Sequence, residues 1–159
     1  MDVEFRRPGE VDPAELLALW RDPLVRRLMP LPDGELDEAD CVAFLAAKER
    51  MWAEHGYGPW AFYRAGRFAG WGGPQPAGDD VRMSLVLGPD HWDLGPCIYE
   101  ELMRRAFDDH RLPEVTVLFP RQPQRLKAFE RLGFRSVGLV RVGGIRFERC
   151  RIAAPERGT

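Results

Sequence analysis

The stretch Met83–Phe107, MSLVLGPDHWDLGPCIYEELMRRAF, constrains the fold of this chain more than any other. It opens as an alternating strand with Met83, Leu85 and Leu87 on one face. It then passes through a short loop, Trp92-Asp93-Leu94-Gly95-Pro96-Cys97, into an amphipathic helix running from Pro96 to about His110. That helix turns Ile98, Leu102, Met103, Ala106 and Phe107 inward. A glycine turn feeding a helix start presents free backbone N–H groups and the positive end of the helix dipole, which suits a phosphate. Because strand, glycine loop and helix follow in that order, one ligand can touch both the strand and the helix start.

The flanking segments supply the remaining elements. Val3–Phe5 reads as a short strand, and Asp12-Pro13 starts a helix whose buried stripe is Leu16, Leu17, Leu19 and Trp20. Arg21–Gly34, rich in proline and charge, reads as a broken helical connection. Asp37 caps a second helix with Cys41, Phe44, Leu45, Met51 and Trp52 at helical spacing, ended by His55-Gly56. Trp60–Tyr63 and Phe68–Trp71 flank Ala65-Gly66 as a hairpin, and Gly72–Asp80, full of Gly, Pro and Asp, reads as a loop before the strand Arg82–Leu87. Val115, Val117 and Phe119 alternate in a further strand, and Gln122–Leu132 forms a helix ended by Gly133. Val137–Val142 and Ile145–Ile152 pair as a hairpin across Gly143-Gly144, and the tail Pro155–Thr159 is expected to fray. The order predicts one α+β domain over residues 1–154, with a central, mostly antiparallel sheet of about seven strands and helices on both faces.

Composition narrows the function. With 45% apolar and 30% charged residues, the 159-residue chain has the balance of a soluble globular protein. The charge is nearly even, 23 basic against 25 acidic residues, so neither nucleic acid nor a membrane surface is an expected partner. The start MDVEFRRPGEV has no apolar signal core and no apolar run is long enough to span a bilayer, so the expected location is cytoplasmic. Cys41, Cys97 and Cys150, like His55, His91 and His110, are too scattered for a disulfide scaffold or a metal site. Cys41 and Cys150 read as core residues. Cys97, in a first helical turn, reads as a small packing residue, with a lowered thiol pKa as the alternative.

Three blocks, taken in order, resemble the GNAT superfamily of N-acetyltransferases, specifically the branch that includes ribosomal-protein N-terminal acetyltransferases. They are Gly58-Pro59-Trp60-Ala61-Phe62 through Gly66–Gly73, the tryptophan-led Pro89–Cys97, and Glu130-Arg131-Leu132-Gly133-Phe134. The resemblance covers nearly the whole chain. It implies a GNAT-like fold in which the fourth and fifth strands, here Met83–Leu87 and Glu114–Leu118, splay apart. It implies acetyl-CoA as co-substrate, with the pantetheine arm hydrogen-bonded to Leu85, Val86 and Leu87 much as an added strand would be. The pyrophosphate would then lie on the backbone of Trp92, Asp93, Leu94, Gly95, Pro96, Cys97 and Ile98. Gln122, Arg125 and Phe129 on the last helix would complete the cofactor side. The implied activity is transfer of an acetyl group to an amine by direct attack, the acceptor being a small molecule or a peptide N-terminus. No metal is implied, and monomer and homodimer are both open.

The sequence also departs from that pattern. Pro96 removes one amide donor from the phosphate loop. Phe129 stands where many superfamily members place a tyrosine acid, Arg82 where the branch often has a glutamate, and Gln122 where an asparagine is usual. The candidate catalytic groups are therefore His55, whose intrinsic pKa suits a base near neutrality, and Ser84, placed to hold a water in the strand gap. The favoured reading of His55 is nonetheless a cation at a helix C-terminus, interacting with the dipole. A non-catalytic acyl-CoA-binding or regulatory member of the same fold is the alternative. A plain interaction module would need side chains to fill the strand gap.

Overall fold

The computed structural model describes residues 2–28, 36–142 and 144–155. The later part of the expected Arg21–Gly34 connection, Gly143, and the tail beyond Pro155 lie outside the described residues.

Seven strands form one mixed sheet in the order β1-β2-β3-β4-β5-β7-β6. They are β1 (Glu4–Arg6), β2 (Trp60–Arg64), β3 (Arg67–Ala77), β4 (Asp80–Leu87), β5 (Glu114–Pro120), β6 (Arg135–Val142) and β7 (Ile145–Ala153). All neighbours pair antiparallel except β4 and β5, which are parallel. The helices are α1 (Pro13–Arg21), α2 (Pro23–Leu28), α3 (Glu38–His55), α4 (Gly95–Arg104) and α5 (Pro123–Arg131).

Local chemistry fixes the helix ends as the sequence implies. The Asp12 carboxylate accepts from the Ala14 amide, with Pro13 at the first helical position. Asp37 and Asp40 cap α3 reciprocally, each side chain accepting from the other's amide at 2.9 Å. Gly56 ends α3 in the left-handed region at φ 76°. Glu101 on α4 is clamped by Arg104 and Arg105, both at 2.9 Å. The Arg104 hydrogen bond in particular holds its carboxyl down to about 2.

Two cores lie on the two faces of the sheet. Beneath α4, Leu94, Ile98, Leu102 and Ala106 meet Phe62, Met83, Leu87, Val115, Val117, Phe119 and Cys150. On the opposite face, Leu16, Leu19 and Trp20 of α1 and Cys41 and Leu45 of α3 meet Ala61, Tyr63 and Trp71. Cys41 and Cys150 are thus core residues, as read from the sequence.

One element differs from expectation. The segment Gly72–Asp80 is mostly strand: β3 runs through Pro74 and Pro76 to Ala77, and only the Gly78-Asp79 turn separates it from β4. The register explains how a strand tolerates two prolines. The Gly88 amide donates to the Ala69 carbonyl at 2.9 Å, so the hydrogen-bonded pairs fall on Trp71–Val86, Gly73–Ser84 and Gln75–Arg82. Pro74 and Pro76 face Met83 and Val81 in the intervening pairs, where a strand residue donates nothing to that neighbour.

Candidate active site

The same alternation determines what β4 offers on its other edge. Ser84 and Val86 direct their backbone groups toward β3, so Leu85 and Leu87 direct theirs toward β5. Among the described residues, β4 and β5 pair in register at Arg82–Thr116 and nowhere beyond it. The Thr116 hydroxyl secures that point by donating to the Val81 carbonyl at 3.1 Å. Past it the strands diverge, and the backbone of Leu85 and the Leu87 amide face the wedge between them. A sheet edge opened inside a sheet can take one extended ligand by main-chain hydrogen bonding.

The segment after β4 borders the wide end of the wedge. The expected open glycine bend is helical here: Pro89–Leu94 winds as a 3₁₀-helix and runs directly into α4. The Gly95 amide already donates to the Trp92 carbonyl, and Gly95 has ordinary right-handed helical angles, φ −49° and ψ −56°. The amides here are therefore partly bonded within the turn, which no periodicity in the sequence signals. Trp92 is 45% exposed, and its indole N–H donates to the Leu87 carbonyl at 3.0 Å. A Cβ on Gly95 would meet nothing nearer than Leu87 Cδ1 at 4.0 Å, so the surface there is open to a ligand. Strand and helix start are thus brought together. The backbone of β4 offers main-chain groups to a strand-like chain, and Gly95 carries no side chain to obstruct the end of one.

Arg64 of β2, which sequence reasoning missed, holds this turn in place. Its guanidinium donates to the Asp93 carboxylate at 2.8 Å, the Asp90 carbonyl at 3.0 Å and His91 Nδ1 at 2.9 Å. Since arginine only donates, His91 Nδ1 must accept, leaving a neutral ring with its proton on Nε2. Burial and the nearby Arg64 charge both lower the His91 pKa, and the Arg64 hydrogen bond lowers that of Asp93. The partners lie 26 to 29 residues apart in sequence, with no local pattern linking them.

At the narrow end, Ser84 is the last link of a polar chain crossing the α3 side of the sheet. Lys48 Nζ donates to Gln75 Oε1 at 2.6 Å, and Gln75 Nε2 donates to Ser84 Oγ at 2.8 Å. Lys48 occupies the sheet-facing stripe of α3 with Cys41, Leu45 and Trp52, at spacings of four, three and four. The ammonium lies 4.7 Å from the Phe44 ring centroid and 5.7 Å from that of Trp71, which favours the cation, while burial lowers its pKa. A lysine on an inward position was the available signal. Gln75 was hidden in the segment read as a loop.

The other candidates are dispersed. His55 is an exposed residue at the end of α3, 4.0 Å from the Glu54 carboxylate, and no contact among the described residues joins it to Ser84. Gln122 is the N-cap of α5 without a side-chain cap hydrogen bond, and Arg125 is half-buried in its first turn. Phe129 stacks on Phe119 at 4.9 Å and meets Tyr99 of α4 edge-on at 6.2 Å, so α5 is tied to α4 through aromatic rings. Cys97 donates its thiol to the Leu94 carbonyl at 3.3 Å, which fits a packing role. Among the described residues no cluster of His, Cys, Asp or Glu is arranged to hold a metal, and no helix is long and apolar enough to cross a membrane.

Residues 2–135 match the acetyltransferase (GNAT) domain family. The chain belongs to that family. Solved GNAT structures share the fold at low identity. An acetyltransferase ascribed to the GNAT family, from Bordetella pertussis, superposes with a TM-score of 0.77 at 19% identity, covering 95% of each chain. A GNAT acetyltransferase from Bacillus anthracis gives 0.73 at 15% identity, covering 98% of this chain and 97% of the other. Spermidine N-acetyltransferase from Vibrio cholerae, solved with CoA and spermine, gives 0.71 at 12% identity and 96% coverage of each chain. The chain is thus a GNAT acetyltransferase, and the chemistry of such a domain is transfer of an acetyl group from acetyl-CoA to an amine.

Proposed function

We propose that the wedge between β4 and β5 is where this chain receives acetyl-CoA. The pantetheine arm pairs with the backbone of Leu85 and Leu87 and runs past Val86 between them. The diphosphate lies against Trp92, Asp93, Leu94, Gly95, Pro96, Cys97 and Ile98, and Gln122, Arg125 and Phe129 border the far side. The observation that carries this reading is the main chain of Leu85 and Leu87, turned away from β3 at the point where the fifth strand departs. The acceptor is a small-molecule amine or a peptide N-terminus approaching from the α1 and α3 side, as in the branch with ribosomal-protein N-terminal acetyltransferases. The neutral amine attacks the thioester directly. Of the two catalytic candidates, Ser84 adjoins the narrow end of the wedge, whereas His55 sits exposed beside Glu54, so the reading rests on Ser84. Sheet continuity from β1 to β6 supports one domain over residues 1–154, and a cytoplasmic location belongs to the same reading. The outer strand β6, with Val137 and Leu139 exposed, supports a homodimer alongside the monomer.

Mass spectrometry of the purified protein for carried-over CoA, calorimetry with acetyl-CoA, and a panel of amines and peptide N-termini test this. One-to-one binding followed by acetylation of a panel member is expected, and absence of binding at millimolar acetyl-CoA would sink the proposal. Phe129 in the tyrosine position and Arg82 in the glutamate position favour a second reading, a non-catalytic acyl-CoA-binding member. That reading predicts binding without turnover on any acceptor.

A further inference from the structure

The chain Lys48–Gln75–Ser84 has a direction that chemistry forces. A lysine ammonium donates and cannot accept, so the Gln75 oxygen must face it at 2.6 Å. The amide nitrogen of Gln75 is then the end that faces Ser84, and it donates to Oγ at 2.8 Å. With that lone pair occupied by a donor, the hydroxyl is left with its own proton to give. Among the described residues no protein group receives it. Each link polarises the next, and the effect is larger where water is excluded. Gln75 is 8% exposed, and among the described residues no carboxylate pairs with Lys48. A cation and an amide occupy places where an apolar pair would stabilise the core, an arrangement that makes sense if the free end of the chain serves a ligand.

The position of that free end follows from the wedge. This step rests on the function proposed above. The gap closes at Arg82–Thr116, so an arm entering from the diphosphate end cannot pass much beyond Met83. An extended arm of about 15 Å spans roughly four to five residues at the rise of a strand. Counted back from Gly88, the thioester falls beside Ser84.

We propose that the Ser84 hydroxyl, polarised by Lys48 through Gln75, donates a hydrogen bond to the thioester carbonyl oxygen as negative charge builds on it. In the step, the amine nitrogen bonds to the carbonyl carbon and the C=O π pair moves onto oxygen. That pair then returns, the C–S bond breaks, and sulfur leaves with the bonding electrons. The proton of the attacking nitrogen goes to solvent, and solvent returns a proton to the departing thiolate. Ser84 keeps its proton throughout, because an amide in the middle of the chain does not pass one on from Lys48. Ser84 is thus a catalytic residue, and Gln75 and Lys48 are positioning residues. The chain stabilises charge and is distinct from the tyrosine acid that Phe129 replaces.

The test compares kcat and KM for an accepted amine, the acetyl-CoA dissociation constant and thermal melting in Ser84→Ala, Ser84→Thr, Gln75→Glu and Lys48→Met. Removing an oxyanion donor lowers kcat by about 10²–10³-fold, and that fall is expected for Ser84→Ala with acetyl-CoA affinity and melting unchanged. Ser84→Thr keeps the hydroxyl and restores most of the rate. Gln75→Glu keeps the shape but reverses the chain: a carboxylate only accepts, so the Ser84 proton turns inward, and kcat falls as far as in Ser84→Ala. Lys48→Met lowers kcat by less. Unchanged kcat in Ser84→Ala or Gln75→Glu overturns the inference alone, as does a loss confined to acetyl-CoA affinity or folding. A wild-type protein that does not bind acetyl-CoA, or that binds it and acetylates nothing, overturns the proposed enzyme and this step with it.

Discussion

The two faces of the sheet are built differently. Under α4, the layer formed by Ile98, Leu102, Ala106, Met83, Val115 and Val117 is apolar, with several residues wholly excluded from water. On the α1 and α3 face, Phe44 and Trp71 flank a lysine tied to a buried glutamine. One layer is built of apolar side chains. The other gives up some stability to hold a charge near the open wedge. In a domain whose stability is a small difference between large terms, such a concession is informative.

The comparison can be broken by substitutions on each side. The largest effect is expected for Leu102→Ala beneath α4, which should lose about 2–5 kcal/mol in urea unfolding; a loss under 1 kcal/mol would show that this layer is not the main core. Next, Gly95→Glu should weaken acetyl-CoA by about 1.4 kcal/mol or more, at least tenfold in calorimetry. The helical angles and free space at Gly95 let a glutamate fold there while setting a negative charge against the diphosphate. Unchanged affinity would remove the diphosphate from this turn.

Lys48→Met sharpens the contrast from the other side. Replacing a half-buried cation by an apolar chain of similar length removes a desolvated charge but leaves the Gln75 oxygen without its donor, so a loss of about 1–3 kcal/mol is expected, while turnover falls. A loss as large as that of Leu102→Ala would make the two faces equivalent. The smallest effect concerns pH. Glu101 is held down to about 2, chiefly by Arg104 and then Arg105, below its ordinary value of 4.5. A depressed carboxyl contributes stability above its unfolded pKa and loses it as pH falls through the folded value. The wild type should therefore shed its advantage over Glu101→Gln between about pH 4.5 and 2. The advantage is no more than about 1 kcal/mol once solvent screening is allowed for. Equal acid sensitivity in urea titrations would rule the clamp out.

How much of this was legible varied with the range of the interaction responsible. Caps, turns and the alternating strands depend on neighbours in sequence, so Asp12-Pro13, Asp37, Gly56 and Met83–Leu87 declared themselves. Strand β3 did not, because Gly, Pro and Asp ordinarily mark loops, and the prolines are tolerated only by their parity against β4. Lys48 was passed over because long polar side chains on a helix usually reach solvent, and its partner lay in that misread strand. The Arg64 clamp on Asp93 joins two elements whose proximity exists only after folding. The wedge itself came from family resemblance, and its geometry came from the single bridge at Arg82–Thr116.

Pro74 and Pro76 also act as a ratchet on strand assembly. Sliding β3 by a single residue along β4 would bring both imide nitrogens into the donating row and carry Gln75 to the opposite side of the sheet. Only displacements by an even number of residues avoid that penalty, and each of them leaves the glutamine facing a residue other than Arg82. The two rings therefore act as a partial proofreading device, rejecting the odd-numbered misalignments that would carry Gln75 off the face shared by Lys48 and Ser84.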